Sequence, residues 1–267
     1  MDQQELEGNV AIVAGGSLGI GRATSIRLAR GGAQVVVGAR RQAAIDDVVA
    51  EIRAEGGSVE GVALDVSTAD GARTLVRRAV DAFGGVDILV NSQGIQRYGN
   101  LEETDEAMWD EVFNVNLKSM YRTARCAIPE FRKRGGGAIV NVGSVQGLAT
   151  QTRVVAYSTS KAAINGLTRA IAVDYAAEGI RANAVLPASV DTPMLRDSAD
   201  LFRGAGTVES VIEDWGKMHP VGRVGQPEEI AELIAFLVSD KATFITGAEF
   251  KIDGGMMAAL GVSLPDR

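Results

Sequence analysis

The sequence is poor in the residues that staple or metallate proteins. It has one cysteine, Cys126, and one histidine, His219, in 267 residues. A single thiol excludes an intramolecular disulfide and suits a reducing compartment. One Cys and one His cannot form a usual zinc site, so no metal is expected. No stretch approaches the ~20 uncharged apolar residues of a membrane span. The first nine residues, MDQQELEGN, have neither a basic start nor an apolar core, so no signal peptide is expected. Cations are outnumbered, 27 Lys and Arg against 34 Asp and Glu, for a formal net charge of -7. That balance argues against a nucleic-acid or anionic-membrane surface. The expectation is a cytoplasmic protein whose partner is a small molecule.

Apolar material is abundant, at 46% of the chain. Short β-rich runs fall at 10–15, 33–39, 59–65, 86–92, 137–144, 180–187 and 248–253. Several are continuous apolar runs, as parallel strands buried on both faces require. Helical patterns separate them at about 19–31, 42–55, 69–84, 103–134, 155–178 and 226–239. The alternation predicts βαβ units on an open parallel sheet, with helices on both faces. No repeat or linker divides the chain, so one α/β domain is expected over 1–267. Residues 188–225 break the rhythm with a long Gly-rich stretch, read as a substrate lid.

The first strand runs into AGGSLGIGRAT, with Gly15, Gly19 and Gly21 in the spacing G-x-x-x-G-x-G. Glycines permit close backbone approach, and a helix starting there favours an anion such as a pyrophosphate. At the end of the second strand an acid would bind a free ribose 2′-hydroxyl. Here Ala39 holds that place, and Arg40 and Arg41 follow. Guanidinium groups suit a 2′-phosphate, which favours NADP(H) over NAD(H); the plainer alternative is a pair of solvated cations. Asp65, ending the third strand, is equally readable as an adenine contact and as an ordinary acid before a helix.

AYSTSKAAINGL places Tyr157 four residues before Lys161. Residues i and i+4 share a helix face. A nearby ammonium is expected to lower the phenol's pKa and let it exchange a proton with an alcohol or ketone. Ser144 closes the fifth strand, where it faces the crevice of a parallel sheet and can hold the substrate oxygen.

These motifs resemble the short-chain dehydrogenase/reductase family over nearly the whole chain. GGSLGIG, LDVS, NSQG, NVNL, NVGS, YSTSK, NAVLP and ITGAEFKIDGG stand in the family's order and spacing. The resemblance implies a Rossmann-type sheet of seven parallel strands in the order 3-2-1-4-5-6-7. It implies Tyr157 as general acid/base, Lys161 as its electrostatic partner and Ser144 as orienter of the reacting oxygen. Asn116 matches the fourth catalytic residue, which holds a water beneath the lysine. Cofactor contacts are implied at Gly15, Ser17, Leu18, Gly19, Ile20 and Gly21, and at Arg40, Arg41, Asp65 and Val66. Further contacts are implied at Asn91, Gly94, Tyr157, Lys161, Pro187, Val190 and Thr192. Relatives use the 103–134 and 155–178 helices as subunit contacts, which implies a homotetramer or homodimer.

Three positions depart from the family pattern: Ala14 replaces a threonine, NSQG replaces NNAG, and Pro187-Ala188 replaces Pro-Gly. Gln93 is expected either at the ribose or in the substrate pocket. The segments after strands four, five and six carry Gln93, Gln96, Arg97, Tyr98, Gln146, Gln151 and Arg153, with Met194, Leu195, Phe202, Trp215 and Met218 in the lid. Amides and guanidinium groups suit hydroxyls or a carboxylate; the alternative is a solvated rim. Gln93, Gln146, Gln151 and Trp215 are the substrate candidates. The leading reading is an NAD(P)(H)-dependent oxidoreductase of a secondary alcohol or ketone: a sugar, polyol or small hydroxy/keto compound. A second is a 3-oxoacyl-thioester reductase, with the basic FRKRGGG (131–137) docking an acidic carrier. A third, of another class, is a non-catalytic dinucleotide sensor, which has no need of the ordered Ser144–Tyr157–Lys161 set. The apolar tail from Met256 is expected to cover a neighbouring subunit.

Overall fold

A computed structural model describes residues 5–260. Seven strands form one parallel sheet in the order β3-β2-β1-β4-β5-β6-β7, as the resemblance implies. They are β1 (Val10–Ala14), β2 (Gln34–Ala39), β3 (Val59–Ala63), β4 (Ile88–Asn91), β5 (Gly137–Val142), β6 (Ile180–Pro187) and β7 (Glu249–Ile252). The helices between them are α1 (Gly19–Arg30), α2 (Gln42–Ala54), α3 (Ala69–Phe83), α4 (Glu106–Phe113), α5 (Ser119–Arg134), α6 (Val155–Tyr175), α7 (Pro193–Phe202), α8 (Val208–Lys217) and α9 (Pro227–Val238).

The uninterrupted apolar runs have a direct cause. Ala11 and Val13 of β1 pack on one side with Ile26 and Leu28 of α1, Ile45 and Val48 of α2, and Ile230 and Ile234 of α9. Val10, Ile12 and Ala14 pack on the other with Leu75 and Ala79 of α3, Phe131 of α5 and Ile171 of α6. Side chains alternate across a strand, so a strand covered on both faces has no polar positions to show.

Two segments differ from the sequence reading. The helix expected over 103–134 is interrupted by a π-helical turn at Asn114–Lys118, between α4 and α5. The segment 188–225 is not an irregular loop but carries α7 and α8. Thr192 caps α7 by accepting from Leu195 N at 3.3 Å, and Pro193 opens it. Thr207 and Ser210 form a reciprocal capping box on α8. These start signals outweigh the glycines around them. Among the described residues no helix is long and apolar enough to cross a membrane.

Candidate active site

The parallel order reverses direction between β1 and β4, and a crevice opens there at the C-terminal strand ends. Gly15 has φ +78°, and a Cβ on it would lie 2.6 Å from the backbone nitrogen of Gln93. A Cβ on Gly21 would lie 2.1 Å from the Gly15 carbonyl oxygen. The turn is therefore a bare-backbone cradle that side chains would fill. Ser17 is buried there, and Leu18 precedes α1 without a side-chain cap. With no acid in its first turn, α1 presents unanswered N–H groups to the crevice, around Gly19, Ile20 and Gly21. Ala14 removes the family's bracing hydroxyl. Ser25 Oγ braces the turn from the helix side, within hydrogen-bonding distance of the carbonyls of Gly16 (3.1 Å) and Gly21 (3.0 Å). Across the crevice, the Thr192 methyl stands 3.0 Å from where a Gly19 Cβ would sit. Val190, two residues earlier, is buried.

Beyond β2, Arg40 and Arg41 are exposed, and among the described residues neither has a carboxylate partner. Asp65 is exposed and its carboxylate accepts from Ser67 N at 2.9 Å, while Val66 beside it is buried.

Ser144, Tyr157 and Lys161 converge at the end of β5, all at least nine-tenths buried. The Ser144 hydroxyl accepts from Gln146 N at 3.1 Å and lies 3.4 Å from the Pro187 carbonyl. It also faces the Tyr157 phenol. Lys161 Nζ lies 5.5 Å from the centre of the Tyr157 ring and donates to the Val142 carbonyl at 2.9 Å. The expected lowering of the phenol pKa does not occur. Burial pushes Tyr157 up to about 12, offset in part by the Ser144 hydrogen bond. Burial also brings Lys161 down to about 8. Two groups removed from water both favour their neutral forms, and the neighbouring Tyr98 adds to the rise at Tyr157.

Asn116 sits inside the π turn, wholly buried. Its Oδ1 accepts from Ile95 N at 2.8 Å, and its Nδ2 is shared between the Ile95 carbonyl and Ser160 Oγ. A Cβ on Gly94 would lie 3.5 Å from that Oδ1 and 3.8 Å from Lys161 Nζ, so Gly94, Asn116 and Lys161 meet. The Asn116 amide is committed to the backbone of the loop after β4 and to Ser160, which fixes the residue beneath Lys161.

Two candidates are turned inward. Asn91 is wholly buried in a polar chain: Thr123 Oγ1 donates to its Oδ1, its Nδ2 donates to Asn141 Oδ1, and Asn141 Nδ2 donates to Thr168 Oγ1. Its side chain fastens β4 to β5, α5 and α6. Gln93 donates from Nε2 to Ser119 Oγ of α5 at 2.7 Å, with its Oε1 buried and unpartnered. The long amide thus finds a hydroxyl in the helix behind it, while its backbone stays beside Gly15.

The loops after β4 and β5 bind one another through a bridge between Gly99 and Val154. Arg153, just before α6, has φ +62°, the one non-glycine in left-handed backbone among the described residues. Gln146 and Gln151 come together, joined at 3.2 Å. Tyr98 packs edge-on against Phe202 of α7 at 4.7 Å, bringing the 188–225 segment over the crevice. Trp215 is half-buried on α8, with no hydrogen bond to the crevice residues. His219 is held at the far end, its Nδ1 donating to the Asp253 carbonyl at 2.7 Å, so it belongs to the junction with β7. The basic end of α5 is matched by acids: Lys133 pairs with Glu130, Arg132 with Glu178 and Arg134 with Asp87. Residues 261–267 of the apolar tail lie outside the described residues.

A family model described as enoyl-(acyl carrier protein) reductase matches residues 14–257. The 3-oxoacyl-[acyl-carrier-protein] reductase FabG of Thermotoga maritima is 37% identical over 252 residues, 94% of this chain and 99% of the relative. A cis-4-hydroxycyclohexanecarboxylate dehydrogenase of Sinomonas cyclohexanicum is 40% identical, covering 93% and 96%. The solved structure of L-sorbose reductase from Gluconobacter frateurii, complexed with NADPH and L-sorbose, superposes with a TM-score of 0.92. It has 30% identity and covers 97% of this chain and 100% of that one. The chain is a short-chain dehydrogenase/reductase.

As a member of that family it is a nucleotide-dependent oxidoreductase acting at an alcohol or ketone carbon. Several supports of this dehydrogenase site escaped the sequence reading. Ser25 carries a serine-four-after-glycine spacing that a search for loop braces would find. The Asn91–Asn141 bond and the left-handed Arg153 have no local signal, since both depend on elements far apart in the chain.

Proposed function

We propose that the enzyme is an NADP(H)-preferring oxidoreductase of a sugar, polyol or small hydroxy/keto compound. The observation that carries this reading is the meeting of Ser144, Tyr157 and Lys161 beside the bare cradle at Gly15 and Gly21. The cradle fits a dinucleotide: the first turn of α1 takes the pyrophosphate, and Lys161, Gly94, Val190 and Thr192 border the nicotinamide end. Arg40 and Arg41 carry the preference, since two unpaired guanidinium groups suit a 2′-phosphate better than a hydroxyl. When bound, the dinucleotide supplies the hydride acceptor or donor.

The chain's own residues then handle orientation and the proton. Ser144 holds the reacting oxygen. Tyr157 gives its hydroxyl proton to that oxygen in reduction and takes it back in oxidation. Lys161 offsets the negative charge left on the phenol. Asn116 keeps the loop carrying Gly94 against Lys161. The α7–α8 segment closes over the crevice through Tyr98 and excludes water. An open groove lined by Asp110, Phe113, Leu117, Lys118, Tyr121 and Leu167 lies on the outer faces of α4, α5 and α6. A second copy covers it, giving a homotetramer or a dimer built on the same faces. The enzyme works in the cytoplasm.

A 3-oxoacyl thioester is the second reading, favoured by the likeness to the FabG relative. The cations at the end of α5 are each paired with an acid, which weakens the support for a carrier-docking patch there. The test is nicotinamide absorbance with NADPH and NADH against polyols, aldoses, simple ketones and an acyl-thioester analogue. Turnover of the hydroxy compounds with NADPH at least about tenfold more efficient than with NADH is expected. Turnover of the thioester alone selects the second reading, and none with any compound defeats both.

A further inference from the structure

Gln146 stands two residues after Ser144, in the single turn Val145–Gly147 that Ser144 caps. Its N–H donates to Ser144 Oγ at 3.1 Å, so its place is tied to that hydroxyl. Its side chain is held by Gln151, to which Nε2 donates at 3.2 Å. The other end of the amide, Oε1, is buried and has no partner. An unmet buried polar atom costs about 1–3 kcal/mol. On the residue whose N–H holds the Ser144 hydroxyl, such an unmet atom is a place for a ligand group to complete.

The chemistry of that group follows from the amide. Turning both glutamine amides over exchanges oxygen for nitrogen at the free end and still leaves one polar atom unmet. A hydroxyl satisfies either orientation, because it both donates and accepts. A carboxylate or carbonyl satisfies only one, and a methylene neither. The ligand is also uncharged. The arginines on the segments leaving β4, β5 and β6 are each matched by an acid. Arg97 pairs with Glu111, Arg153 with Glu103 and Arg196 with Asp191.

We infer that Gln146 recognises a hydroxyl on the carbon next to the reacting one, so that the substrate is a neutral vicinal diol or the matching α-hydroxy ketone. This rests on the proposed reading of Ser144 as the residue that holds the reacting oxygen. It narrows that reading from hydroxy and keto compounds at large to those with an adjacent hydroxyl.

The experiment compares kcat/KM for cis- and trans-1,2-cyclohexanediol with that for cyclohexanol, using NADP+ and NAD+, in the wild type and in Gln146→Met. Methionine keeps the length of the side chain and removes its hydrogen bonding. The wild type is expected to prefer the better diol by about tenfold or more. In Gln146→Met the preference falls to within about threefold of unity. Melting temperature and dinucleotide affinity report whether that variant is folded; if it is not, the wild-type preference alone decides. A wild-type ratio near one, a ratio unchanged in Gln146→Met, or no turnover of either diol overturns the inference. Failure with every alcohol, ketone and thioester of the wider panel is the separate result that overturns the reading beneath it.

Discussion

Tyr157 and Lys161 are paired in sequence by one helical turn, yet the spacing alone misjudges their electrostatics. Both are buried, and burial moves the phenol up to about 12 and the ammonium down to about 8. Near neutral pH the phenol is protonated, the form that donates in reduction. Donation leaves a phenolate in a dry site, which needs the Lys161 charge close by. Lys161 holds that charge below its folded value and loses it above. We therefore expect kcat/KM for reduction, at saturating dinucleotide, to be flat from about pH 6 to 7.5 and to fall through about pH 8. In Lys161→Arg the side chain stays charged, so the falling limb moves at least about one unit higher, at reduced overall rate. A limb that stays in place in that variant assigns the titration to another group. Sequence spacing shows which residues meet; it does not show how much water they lose, and here that loss decides the sign.

The element that matters most to the cofactor is the start of α1. Gly21 packs its α-carbon against the first glycine of the turn, leaving no room for a methyl group. Gly21→Ala is expected to weaken dinucleotide binding by about tenfold or more and to cost roughly 1–3 kcal/mol of stability, measured by ligand fluorescence and thermal unfolding. Unchanged affinity would mean the turn does not hold the dinucleotide. This element was legible in the sequence because its chemistry is local: a strand, a glycine spacing and a helix in succession. The strands were legible for the same reason, as runs such as Val10–Ala14 carry their two-sided burial in their composition. The π turn at Asn114–Lys118 was not, since one extra residue in a helical run leaves the apolar pattern almost intact. The inward turn of Gln93 was also hidden, because Ser119 lies 26 positions away.

At the scale of the whole molecule, the parallel sheet gathers the ends of β1, β4, β5 and β6 into one crevice and leaves Tyr121 of α5 and Val173 of α6 exposed. The seven-strand order was implied by the sequence, as was the meeting of Ser144, Tyr157 and Lys161. The ion pairs that neutralise the crevice mouth, such as Arg97–Glu111, were not, because their partners lie on separate elements. Light scattering is expected to give the mass of four chains, or of two, and Tyr121→Glu to reduce it; a wild-type mass near 28.0 kDa would remove the proposed interface. The central claim is that the Tyr157 hydroxyl carries the proton. Its most direct test is steady-state turnover of Tyr157→Phe, set beside NADPH affinity measured on the same preparation. We expect kcat to fall by about 10²–10⁴-fold with affinity within about threefold of the parent. A variant that turns over at the parental rate would contradict the account.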